Sequence, residues 1–337
     1  METGAAVLLA LAGIWLLPRV LQLFALINAT VYVSMALLAL SLALVWGFAG
    51  ILCFGQAAFF GLGGYAYAVA ALNLPTLSLA DTTWAVPVAL LVPAAVAAAL
   101  GYVMFFGRIS DVYMGVITLT VTLILFNFVN STAGEQWRIG AAPLGGFNGI
   151  PSTPPLNMPG DPGTPLAPEQ IFAVAVGSLA GCYVLARVVL ASRFGRVVVA
   201  IRENERRAEL LGYDVRLYKL GVFALGGGMA GLAGMLFANC VFVSPTMFSL
   251  FYSGQIIIWV MVGGLGTLIG PILGAMLLQA LATWAGTLKG VNPSLILGVI
   301  LMLAVLVIPR GILPSAAAAL ARLRGARLRD IRHRTTG

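Results

Sequence analysis

Apolar runs of helical length, separated by short polar interruptions, make up most of this chain. The runs Ala5 to Phe24, Asn28 to Trp46, Ile51 to Leu72, Trp84 to Phe106, Val112 to Thr132, Ile171 to Leu190, Leu220 to Cys240, Phe251 to Val262, Leu268 to Leu288 and Ser294 to Ile308 each predict a helix. A helix crosses the hydrocarbon core of a bilayer in roughly 20 residues. Lipid offers the backbone no hydrogen bonds, which leaves helices and closed barrels as spanning structures. The runs lack the alternation of barrel strands. The expected fold class is therefore all-α: a polytopic integral membrane bundle of about ten transmembrane helices, occupying 1–309, with a basic tail over 310–337.

Two polar interruptions are long. The stretch 133–170 holds eight of the seventeen prolines (Pro143, Pro151, Pro154, Pro155, Pro159, Pro162, Pro165, Pro168). Proline fixes φ and donates no hydrogen bond, so an irregular loop is expected, either a linker or a lip that receives an external partner. The stretch 193–219 holds seven of the nineteen Lys and Arg residues and four of the eleven acids. A further seven arginines follow Ile308 (Arg310, Arg322, Arg324, Arg327, Arg329, Arg332, Arg334). Basic loops stay on the cytoplasmic side, which places 193–219, the tail and the turn at Arg108 inside, with the 133–170 loop and Asp81 outside. Ten crossings then put both termini in the cytoplasm. Five runs precede the proline-rich loop and five follow it, the arrangement of an inverted 5+5 repeat.

Composition agrees. Hydrophobic residues make up 61% of the chain and charged residues 9%, with a mean hydropathy of +1.02, against about a quarter charged in soluble domains. The formal net charge of +8 is concentrated in the two basic segments, the signature of topology and not of nucleic-acid binding. Cys53, Cys182 and Cys240 are widely spaced and each sits in apolar sequence, as small buried hydrophobes do. His333 is the lone histidine and no GxxxxGK[ST] phosphate loop is present. Histidine general-base chemistry in the spans and ATP hydrolysis by that loop are both excluded.

Two glycine-rich stretches interrupt the apolar runs. The first, Trp46 to Tyr65, includes Gly50, Gly55, Gly61, Gly63 and Gly64 around one strong hydrogen-bonding side chain, Gln56; the second includes Gly263, Gly264 and Gly266. Paired interruptions of this kind are candidates for a substrate path, and close helix packing, with Gln56 bonded to neighbouring backbone, explains them equally. In the charged stretch, Ile201 to Gly212 predicts a short helix ending at Gly212, with Glu203 and Arg207 at pairing distance and an apolar stripe of Ile201, Ala208, Leu211 and Leu210. A connector between spans needs fewer residues, so a docking helix is the favoured reading.

The segment GRVVVAIRENERRAELLGYDVRLYKLGVFALGGGMAGLAGMLF, the later VSPTMFS and VGGLGTLIGPILGA, the upstream WGFAGILCFGQAAFFGLGGYA and the terminal IPRGIL together resemble the permease subunit of bacterial ABC importers of the branched-chain amino acid class. The resemblance covers about Asn28 to Leu313 apart from the proline-rich loop. It implies a multi-pass inner-membrane subunit working with a second homologous permease, two cytoplasmic ATPases that bind ATP and Mg, and a periplasmic binding protein, and needing no cofactor of its own. It places the ATPase-coupling loop at Ile201, Arg202, Glu205, Arg206, Arg207, Ala208, Glu209, Leu211 and Gly212. Family members also carry urea and short amides, and both cargo classes stay open. A passive small-solute channel is the reading from a different class. The glycine triplet Gly226 to Gly228 departs from the small polar residue usual in the family.

Overall fold

The computed structural model describes residues 16–77, 81–134 and 136–287, together with positions 4, 12–14 and 298. The expected span Ser294 to Ile308 apart from position 298, the basic tail, and residues 5–11 and 15 of the expected span Ala5 to Phe24 lie outside the described residues. Among the described residues ten α-helices can be delimited: α1 (Leu23–Leu42), α2 (Gln56–Asn73), α3 (Ala85–Phe106), α4 (Asp111–Ser131), α5 (Pro168–Ala191), α6 (Arg193–Glu203), α7 (Glu205–Leu210), α8 (Val215–Cys240), α9 (Leu250–Gly263) and α10 (Ile269–Gly286). α1 runs on into a wider turn, Ala43–Phe48, with π-helical bonding. The bundle is all-α, as expected.

The span count is corrected. Among the described residues six helical stretches are long and apolar enough to cross a membrane: Leu23–Phe48, Thr82–Phe106, Asp111–Ser131, Pro168–Ala191, Val215–Cys240 and Ile269–Gly286. The expected span Ile51 to Leu72 becomes helical only at Gln56, because Gly50 turns the chain with φ +72°, and its glycines and tyrosines dilute its apolar character. The expected span Phe251 to Val262 forms a helix of 14 residues, short of the roughly 20 a crossing takes.

α8 is the centre. It packs most extensively on α3, then α2 and α1, while α1 also meets α5 and α10, and α9 pairs with α10. The α3–α8 seam shows why small residues are needed. Gly227 faces Ala97 and the Pro93 carbonyl, and Gly231 leaves room for the Pro93 ring in mid-α3. On the α2 side, a side chain on Gly63 would overlap the Gly231 carbonyl, and one on Gly234 the Phe60 carbonyl. Without a hydrophobic drive between helices in lipid, close backbone approach of this sort supplies the packing energy. The small-residue pairs Gly227 with Gly231 and Gly270 with Gly274, each spaced GxxxG, lie in helix contacts. Gly266 instead sits in a turn with φ +82°, so its pairing with Gly270 is not a helix-packing motif.

The helices alternate between two ends. At one, the turn after α3, the segment α6–α7 and the α9–α10 turn gather: Lys219 Nζ is 3.9 Å from Asp111, and Arg216 lies over the Phe106 ring. At the other, the proline-rich loop is folded and not a loose linker. It forms two small antiparallel hairpins, β1–β2 (Arg138–Ile139 with Ala142–Pro143) and β3–β4 (Asn157–Met158 with Asp161–Pro165). Asn157 and Thr82 exchange hydrogen bonds, Leu156 donates to Asn239 Oδ1, and Ile150 bridges to Val243. The loop thereby staples α2, α3 and α8 together at that end.

Candidate functional site

The site is assembled at the charged end from the segment that follows α5. Ser192 Oγ accepts from Gly195 and starts α6. The expected single helix from Ile201 to Gly212 is not formed. Asn204 adopts φ −160°, ψ 97° and breaks it, and its side chain accepts from the Arg207 amide to cap α7. A side chain that satisfies an orphan N–H at a helix start stabilises that start, so the sequence carries its own restart signal. Glu203 and Arg207 consequently lie on different helices. Glu203 instead approaches Arg202 Nε at 3.7 Å.

α7 ends as expected. Gly212 takes φ +87°, its amide donates to Glu209 O at 2.9 Å and the Tyr213 amide to Ala208 O at 3.3 Å, which is the Schellman arrangement. Asp214 then caps α8 by accepting from the Arg216 amide. Three side-chain caps, at Ser192, Asn204 and Asp214, together with the Gly212 turn give this connector a fixed shape. It has its own small core of Val197, Ile201, Ala208 and Val215. It is also pinned by Lys219, 9% exposed, whose ammonium donates to Glu205 at 2.7 Å.

Outward it presents a different surface. Leu210 and Leu211 are 82% and 71% exposed, flanked by exposed Arg206, Arg207 and Glu209. Beside them an open cleft of about 940 Å³ between α6 and α7 is lined by Arg193, Arg196, Glu203, Arg207, Leu211 and Tyr213 among others. Of the residues expected in the coupling stretch, Ile201 and Ala208 are buried, Glu205 is tied to Lys219, Gly212 shapes the turn, and Arg206, Arg207, Glu209 and Leu211 face out. Arg202 does none of these. Its Nη1 donates to the carbonyl of Gly47, at the end of α1, at 2.5 Å.

The glycine stretches divide into two kinds. Gly50, Gly264 and Gly266 have positive φ and make bends. Gly55, Gly61, Gly63, Gly64 and Gly263 are close-packing positions: a side chain would meet Thr118, Phe248, Gly231, Met247 and Gly270 respectively. Gln56 is 1% exposed. Its Nε2 donates to Ser41 Oγ at 2.8 Å and to Gly226 O at 3.2 Å, and its Oε1 accepts from Cys53 Sγ at 3.6 Å. Ser41, Lys219 and the inward role of Arg202 escaped the sequence reading because each depends on a partner far along the chain. The Gly226 carbonyl that Gln56 meets belongs to the glycine triplet, where a side chain would strike Val45. Among the described residues no group of three or more His, Cys, Asp or Glu side chains is placed to hold a metal.

Residues 24–308 match the family model described as branched-chain amino acid transport system / permease component. The chain belongs to this family. Similar proteins include the high-affinity branched-chain amino acid transport system permease protein LivM of Escherichia coli, 29% identical over 303 residues, covering 85% of this chain and 69% of that protein. The ribose import permease protein RbsC of Escherichia coli is 28% identical over 237 residues, covering 66% of this chain and 68% of its own length. The autoinducer 2 import system permease protein LsrC of Salmonella typhi is 32% identical over 120 residues, a third of each chain (33% and 35%). No solved structure matches. As a member of this permease family, the chain is a non-catalytic, multi-pass inner-membrane subunit of an ABC importer.

Proposed function

We propose that this permease serves an importer of branched-chain amino acids, pairing with a second homologous permease, two cytoplasmic ATPases that hold ATP and Mg, and a periplasmic binding protein. The observation that carries the reading is the family match over 24–308. The long alignment with LivM, over 85% of this chain, favours branched-chain amino acids over the cargo named for RbsC or LsrC. It favours them equally over urea and short amides, which rest on resemblance alone.

In this reading the segment 193–219 is cytoplasmic and α7 docks the ATPases. Two leucines held in water by a triply capped connector are costly unless a partner covers them, at roughly 25 cal/mol per Å² of apolar surface. The arginines beside them suit an acid-bearing partner surface. ATP-driven movement of a clamped α7 would favour one state of the bundle over another, since a partner shifts an equilibrium only through unequal contact with its states. The bends at Gly50, Gly264 and Gly266 are then moving parts beside the path, and the close-packed Gly55, Gly61, Gly63, Gly64 and Gly263 with Gln56 form its fixed wall. Both termini are cytoplasmic. The inverted 5+5 arrangement rests on the five apolar runs on each side of the proline-rich loop. The two glycine bends meet at one end of the bundle and are not its symmetry mates.

The test is purification of the whole transporter with wild-type chain and with the Arg206→Glu, Arg207→Glu double variant, followed by uptake of labelled leucine, isoleucine and valine in vesicles. Loss of ATPase subunits and uptake together in the double variant is the expected result. Uptake that continues without any ATPase would make the chain a passive channel. A binding protein that retains urea or an amide in place of leucine would move the cargo assignment.

A further inference from the structure

We infer that Arg202 is a positioning residue for transport: it fastens the docking segment to the bends that end α1 and join α9 to α10, so that displacement of α7 is passed to both. This rests on the docking reading above. Arg202 stands in the last turn of α6, two residues before the break at Asn204 and immediately ahead of α7. From there its side chain turns away from the exposed leucines and into the bundle.

Three glycines from two distant segments receive it. The guanidinium donates to the Gly47 carbonyl in the final turn of α1. Carbonyls at a helix end lack partners in their own helix and carry the negative end of its dipole, so a guanidinium there makes a charge-assisted bond. The aliphatic stem lies across Gly50, where a Cβ would sit 3.0 Å from Arg202 Cγ. Nη1 also lies 3.6 Å from the position a Cβ on Gly266 would take, and Gly266 N is 3.2 Å from that of Gly47. Bare backbone is thus offered to one side chain by the α1–α2 bend and the α9–α10 bend at once.

A helix cap needs one carbonyl. Seating the cap between two left-handed bends, on the residue that leads into the docking helix, supplies a mechanical link that capping alone does not call for. The bond is also breakable, since the Arg202 side chain is 39% exposed and water competes for it. The planar guanidinium fork suits contact with both bends, whereas an ammonium is a single point of charge.

The experiment uses the complete transporter in proteoliposomes with its binding protein, and measures three things: ATPase subunits retained, ATP hydrolysed, and amino acid taken up per ATP. Arg202→Gln and Arg202→Lys are compared with wild type, and Arg202→Ala where it accumulates in the membrane. The expected result is retained ATPase subunits and continued hydrolysis, with uptake per ATP reduced about tenfold in Arg202→Gln, the scale of losing one hydrogen bond to a charged group. Arg202→Lys recovers part of it. Unchanged uptake per ATP in Arg202→Gln would overturn the inference. Loss of the ATPase subunits in that variant would overturn it too, by making Arg202 a docking contact. A fall in uptake and hydrolysis by the same factor would leave uptake per ATP unchanged and count with the first of these. Failure of the docking reading itself shows separately, as no cross-link from Leu210→Cys to an ATPase subunit in an otherwise wild-type complex.

Discussion

Gln56 shows how a polar side chain is kept inside this bundle. Its amide joins α2 to α1 through Ser41 and to α8 through the Gly226 carbonyl, while Ser41 itself donates to Leu38 O. Interhelical hydrogen bonds in membranes average only ~0.6 kcal/mol, so Gln56→Leu is expected to cost about 1 kcal/mol, read as a small drop in melting temperature of the purified protein. Gly63→Ala adds a single methyl and is far worse. The methyl would overlap the Gly231 backbone, and overpacking where only main chain can move costs about 3 kcal/mol or more, seen as failure to accumulate as a monodisperse species. The sequence marked both positions as unusual and could not rank them. Glycine next to glycine is visible in the chain; which carbonyl lies opposite is not.

At the scale of elements, the connector between α5 and α8 is held by caps whose contributions are separable. Asn204→Ala removes the side-chain bond to the Arg207 amide, and Gly212→Ala forces a side chain into φ +87°; each is expected to cost about 1 kcal/mol. The loss is local, so hydrogen exchange over 204–213 should quicken while the melting temperature of the bundle stays put. The stop at Gly212 was legible because left-handed geometry selects glycine. The break at Asn204 was not, since asparagine is tolerated within a helix and only its side-chain bond decides. The opposite end has its own fastening. Asp81 accepts from the Gly160 amide at 2.9 Å and from the side chain and amide of Thr83, and the Gly160 bond foremost lowers its pKa. A carboxyl with a depressed folded pKa stabilises fully above its unfolded value of about 3.9, and that stability is lost as pH falls through the lower folded value. Proteolysis within 157–165 should therefore remain slow at pH 4 to 5 and accelerate only in stronger acid. Asp81→Asn should raise the rate at neutral pH and flatten the dependence.

For the whole molecule, the side assignment is a direct target. Leu210 and Phe147 are 82% and 81% exposed at opposite ends of the bundle. In cells with a permeable outer membrane, an impermeant thiol reagent should label Phe147→Cys at once and Leu210→Cys only after the inner membrane is opened. The reverse pattern would invert the topology. Membrane class and most span positions were legible because uninterrupted apolar length is a property of the chain alone. The number of helices long and apolar enough to span was not, because Gly50 shortens one helix and the bend at Gly264 ends another after 14 residues, and a run of apolar letters does not show where the backbone turns. The central place of α8 has a consequence for how the protein is made. α8 is buried along most of its length, and the helices that enclose it, α1, α2 and α3, all precede it in the chain. Synthesis runs from the amino terminus, so these three are made before the helix they enclose, and their packing on it must await the translation of α4 to α7. The bundle closes from its middle and late, and a chain released by the ribosome before residue 240 would leave its earliest helices without the element on which they pack.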